Sequence, residues 1–169
     1  MSGPVVEVVD VESALAALRD RATTRAELAA TIRRLLHEVW AHLRQVGDLE
    51  PGHNVVVYRG DLDAGPAPVE VGVQVGRRFD GPTATGVRCG ELPSGRAARV
   101  THRGPNDAMA PAYRALLSWA RDGGHALAGV SWEVYGDWDA DPSRLETEIY
   151  VLLAESSGGR AAAKNSSTS

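Results

Sequence analysis

A chain of 169 residues, 43% hydrophobic and 24% charged, has the length and balance of one globular domain with a core of ordinary size. Its net charge of −4, without a basic stripe or arginine-rich run, argues against direct nucleic-acid binding. The single cysteine, Cys89, excludes an internal disulfide and argues against a zinc or redox site; no signal-like N-terminus or run of about 18 apolar residues points to export or membrane insertion, so a cytoplasmic protein without metal or cofactor is expected.

The first element is a strand in DVESALAALRD, followed by a helix. Thr24 and Glu27 form a capping box, and Leu28, Ile32, Leu35, Val39, Leu43 and Val46 recur at helical spacing. A strand follows in VVVYRGD, from Val55 to Asp61, and after the turn signal Gly65-Pro66-Ala67-Pro68 a second begins at Val69, where valines alternate with Glu70, Gly72 and Gln74. Beyond the turn Asp80-Gly81-Pro82 the order recurs. ELPSGRAARVTHR is a strand, Gly104-Pro105-Asn106-Asp107 a turn and cap, and Met109, Ala112, Tyr113, Leu116, Leu117 and Ala120 a helical stripe ended by Gly123-Gly124. Strands at WEVYGD, Trp132 to Asp137, and LETEIYVL, from Leu145, complete the second copy.

The two copies align as a weak internal repeat. Ala16 meets Ala98, Trp40 meets Trp119 across a three-residue gap, Tyr58 meets Tyr135, and VEVGVQVG meets LETEIYVL. The expected organisation is one domain over residues 1–154, with repeat one at about 5–76 and repeat two at about 87–153, and a disordered tail at 155–169.

The run from ELPSGRAARVTHRGP through WEVYGD to LETEIYVLL resembles the GyrI-like family, the effector-binding domain of AraC-type and multidrug-sensing regulators. The likeness spans nearly the whole second half and, more loosely, the first. It departs from the family pattern at Asn106, where an aromatic is usual, and at the Leu-Leu end of the last strand. The resemblance implies an α+β fold of two pseudo-twofold-related strand-helix-strand-strand units. These form an antiparallel sheet with two main helices around a central groove for hydrophobic, often cationic, ligands. It also implies an acidic pocket residue at Glu133, and a family in which some members hydrolyse cyclopropane-bearing DNA-alkylating compounds while others bind or sequester.

Comparing the copies identifies candidate site residues independently of the family. Glu133 stands where the first copy has Val56, and Glu148 where it has Gly72. Glu133 and Tyr135 share a strand face, and a hairpin with the last strand sets Glu133 opposite Glu148 or Tyr150. Two close carboxylates raise the pKa of at least one. The candidate ligand-binding set is Glu133, Tyr135, Glu148, Tyr150, Trp40, Trp119, Tyr113 and Trp132, with Glu133 the candidate catalytic residue. Trp138, in a polar loop, reads as a surface contact, and His102 as a structural hydrogen-bonding group. The acids from Asp137 to Glu148 fit the spacing of a calcium loop, but Pro142 occupies the place that needs a sharply turning glycine.

The expected function is that of a stand-alone binder that captures a hydrophobic compound, which can be cationic or reactive, for drug or toxin sensing, sequestration or resistance. Two alternatives stay open: a hydrolase that opens a strained electrophile with Glu133, and a protein-interaction module, such as a gyrase-modulating protein, that grips a protein partner.

Overall fold

The computed structural model describes residues 3–81 and 83–155; apart from Glu155, the tail expected at 155–169 lies outside the described residues. The regular elements are β1 (Glu7–Val11), β2 (Leu15–Thr23), α1 (Leu28–Val46), β3 (Pro51–Tyr58), β4 (Ala67–Val75), β5 (Arg88–Glu91), β6 (Gly95–Arg103), α2 (Ala110–Asp122), β7 (Leu127–Tyr135) and β8 (Glu146–Leu153). In the turn before α1, Thr24 Oγ1 accepts a hydrogen bond from the Glu27 N–H at 3.4 Å. Downstream, Gly124 takes the left-handed backbone, φ +66°, that ends α2 as the Gly123-Gly124 pair predicts.

The eight strands form one antiparallel sheet in the order β1-β6-β8-β7-β3-β4-β2-β5. This order reads the same from both ends: β3 beside β7 forms the centre, and each copy contributes one half. The α+β class and the two pseudo-twofold-related strand-helix-strand-strand units are therefore present. Two short strands, absent from the sequence reading, are exchanged between the halves. β1 opens the first copy but pairs with β6 of the second, Val11 opposite Gly95, whereas β5 opens the second copy and pairs with β2 of the first, Leu15 opposite Glu91. Each copy thus supplies the edge strand of the other half.

Strand pairing also corrects the repeat alignment. Val56 pairs with Val71 and Glu133 with Ile149, so Val71 matches Ile149; Glu148 then matches Glu70, and Tyr150 matches Gly72. Likewise Ala16 pairs with Gln74 and Ala97 with Leu152, which matches Ala16 to Ala97 rather than to Ala98. Such one-residue slips matter because each transfers a side chain to the other face of the sheet.

Both faces carry a core. On the helix side, Leu35, Val39 and Leu43 of α1 are buried, each burial contributing about 1.5–3 kcal/mol. Ala112 and Leu116 of α2 pack on Ala98, Val100, Ile149 and Val151, and Ala120 is buried as well. The other face buries Ala16, Leu18, Val55, Val57, Leu92 and Ala97 around Trp132, which stacks on Tyr150 at 4.8 Å between ring centroids and 3° between planes. Among the described residues no helix is long and apolar enough to cross a membrane.

Candidate functional site

The two helices leave a groove of about 990 Å³ over the central β3–β7 pair, at the upper end of the range of about 300–1,000 Å³ usual for small-molecule sites. One wall is α1, with Leu28, Ala29, Ile32, Arg33 and Leu36; the other is α2, with Met109, Ala110, Tyr113, Arg114 and Leu117. The spacing is identical on the two helices, so Tyr113 is the counterpart of Ile32. Trp40 and Trp119 are therefore not counterparts: the same spacing matches Trp40 with Arg121 and Trp119 with Glu38. The floor comes from the strands, where Val56 pairs directly with its counterpart Glu133, flanked by Tyr58 and Tyr135.

Among the departures from twofold symmetry in the groove, two touch each other: Val56 against Glu133 and Ile32 against Tyr113. The Tyr113 hydroxyl donates to Glu133 Oε1 and the Tyr135 hydroxyl to Oε2, while the Tyr58 hydroxyl lies beside the same carboxylate. Glu133 is 2% exposed, and among the described residues no cationic side chain pairs with it. Burial holds its carboxyl above the usual carboxylate range, and the surrounding tyrosine hydroxyls only partly oppose this. The hydroxyls of Tyr58, Tyr113 and Tyr135 are pushed far above the usual phenol range, first by burial and then by the adjacent Glu133 charge, so they stay protonated and act as donors.

Of the predicted residues, Glu133, Tyr135 and Tyr113 meet in this groove and the others do not. Glu133 is not opposite Glu148 or Tyr150 but opposite Ile149; cross-strand partners share a face, so both expected neighbours lie on the far side of the sheet. There the Tyr150 hydroxyl donates to Glu148 Oε2 at 2.6 Å, Arg99 lies 3.6 Å from Glu148, and burial pushes the phenol up to about 12. The raised Glu133 pKa hence has burial, not a second carboxylate, as its cause. Trp132 is 1% exposed in the far-side core. Trp40 stands behind the wall, its indole N–H donating to Asn54 Oδ1 at 2.9 Å, and Trp119 stacks on His125 at 4.2 Å.

Two aromatic residues at the groove, Tyr58 and Trp138, lie outside the predicted site set. Tyr58 is the counterpart of Tyr135, and its alignment with that residue was the available signal. Trp138 is 83% exposed, as expected of a surface residue, yet it borders the groove. In the acidic loop, Asp141 accepts from the Ser143 N–H at 3.0 Å and the Ser143 hydroxyl at 2.7 Å, capping a short turn at Pro142–Arg144. Among the described residues no cluster of three or more His, Cys, Asp or Glu side chains is placed to hold a metal ion.

The fold is shared with several solved structures. The EcmrR C-terminal domain superposes with a TM-score of 0.75 at 18% identity, over 90% of this chain and 98% of that one. In a cryo-EM EcmrR–DNA complex the similarity covers 57% of the longer EcmrR chain, with a TM-score of 0.74 at 18% identity over 89% of this chain. A protein from Listeria innocua described as a hydrolase gives 0.59 at 10% identity, over 91% of this chain and 94% of that one. SAV2435 bound to tetraphenylphosphonium gives 0.57 at 14% identity, over 89% and 94%. Curated protein sequences give no match. The model of the GyrI-like small molecule binding domain matches residues 7–154, and the chain belongs to that family.

Proposed function

We propose that the groove captures a hydrophobic organic cation, with the positive charge seated over Glu133 and the apolar body between the two helices. The observation that carries this reading is a carboxylate on the floor of an apolar groove, ringed by three tyrosines and lacking a cationic partner. A buried carboxylate without a counter-charge is unfavourable, and a ligand cation supplies that charge. The tyrosine rings, and the Trp138 indole at the groove's border, offer aromatic surface to the same charge. SAV2435, a protein of the same fold, was solved with tetraphenylphosphonium, which is such a cation. Capture of this kind serves sensing or sequestration of a toxic compound.

Calorimetric titration with tetraphenylphosphonium tests the reading. The wild type should bind, and Glu133→Gln should bind about tenfold or more weakly, because a charge-assisted contact is lost. Equal affinities would refute a role for the carboxylate in cation capture.

A hydrolytic reading draws on the same carboxyl, since an acid kept protonated by burial and held by tyrosines can protonate a strained leaving group. Chromatography for a ring-opened water adduct of a cyclopropane-bearing alkylator decides it; equal yields from wild type, Glu133→Gln and buffer remove it for that substrate class.

A further inference from the structure

We propose that the groove takes up a permanently charged cation in exchange for a proton: Glu133 is a neutral acid in the empty groove and releases its proton to solvent as the cation arrives. This rests on the cation-binding reading above. The exchange balances as Glu133 carboxylic acid plus ligand cation giving an ion pair plus one released proton, with no covalent bond to the ligand.

The groups around Glu133 dictate this behaviour. On its own strand β7 lies Tyr135; the neighbouring β3 presents Val56 and Tyr58, and β8 presents Ile149 and Thr147. Across the groove α2 presents Tyr113, while α1 presents Leu28, Ile32 and Leu36. The formal charges lie elsewhere on the lining. Arg25 is paired with Asp63 at 2.6 Å, Glu146 with Arg103 at 3.0 Å, and Arg33, Arg114, Asp61 and Asp107 are exposed. Every group facing the carboxyl is thus apolar or a neutral hydroxyl, and nothing compensates a negative charge until a ligand does. In such surroundings a carboxyl neutralises itself by binding a proton.

The hydroxyl donors of Tyr113 and Tyr135 nevertheless suit the ionised form, because each finds a carboxylate oxygen that accepts it, whereas a protonated carboxyl must turn one oxygen into a donor. The site therefore holds the acid neutral when empty and is built to accept the charge once a cation pays the desolvation cost. The released proton comes from the carboxyl and not from a phenol, because burial and the neighbouring carboxylate both oppose phenol ionisation. A neutral aromatic ligand makes no such exchange.

The test is titration of the full chain with tetraphenylphosphonium from about pH 5 to pH 8, at each pH in two buffers that both buffer there and differ in protonation enthalpy: acetate and MES at the acid end, phosphate and imidazole above it. The difference in apparent binding enthalpy counts the protons released. Below the carboxyl's own pKa the wild type should release about one proton per site, and its affinity should rise about tenfold per pH unit. Release should vanish in Glu133→Gln. In Tyr113→Phe, which removes one donor and so raises the carboxyl pKa further, release should persist to higher pH. Wild-type binding with the same enthalpy in both buffers at every pH overturns the proton exchange and leaves cation binding standing. No binding at any pH overturns the cation reading and the exchange together.

Discussion

Replacing Tyr113 with phenylalanine removes one oxygen atom from the groove and leaves the ring and its packing on α2 in place. In the wild type that hydroxyl donates to Glu133 Oε1. A hydrogen bond to a charged acceptor is worth about 1.5–3 kcal/mol, against about 0.5–1.5 kcal/mol for one between neutral groups. Cation binding converts the second kind into the first, so the hydroxyl favours the bound state by roughly 1–1.5 kcal/mol, or about five- to tenfold in affinity. Titration of wild type and Tyr113→Phe with tetraphenylphosphonium at one pH measures the difference, and thermal melting shows that both are folded. Affinity for a neutral aromatic compound of similar size should change by less than about twofold. A folded Tyr113→Phe protein that binds the cation as tightly as the wild type would refute the coupling of hydroxyl, carboxylate and ligand charge.

Burial raises the Glu133 carboxyl in the folded state above its ordinary value of 4.5, so the folded state holds a proton that the unfolded chain has released. The stability this group contributes is full below the unfolded value and is lost as pH rises through the folded value. From about pH 5 to pH 9 the melting temperature of the wild type should therefore fall relative to that of Glu133→Gln; parallel profiles would contradict the raised pKa. Glu148→Gln acts on the far side of the sheet, beside Arg99 and Tyr150, where a partly exposed ion pair is worth about 1 kcal/mol or less. It should leave tetraphenylphosphonium affinity within about twofold of wild type, and a loss comparable to that of Glu133→Gln would overturn the assignment of faces.

Apolar periodicity was enough to determine the two helices and the main strands, and the internal repeat was enough to determine that the chain folds as two related halves. The exchange of Val56 for Glu133 between the copies also singled out the central acid before any coordinates, because an acid at a core position stands out against its own repeat. The sequence alone left the face of β7 undetermined. Alternation assigns faces only when one face is wet and the other dry, and in β7 both Trp132 and Glu133 are buried, one against Tyr150 and the other beneath the helices. Without that polarity, alternation sets the acid beside Glu148 and Tyr150, although the ladder places it opposite Ile149. Tertiary structure likewise decided the exchange of β1 and β5, whose short segments pair only with strands of the other half, and the exclusion of Trp40 and Trp119. A residue's position on a helix wheel does not say which neighbour covers it; packing of α1 and α2 on the sheet directs Leu36 and Tyr113 to the groove and leaves both indoles behind its walls.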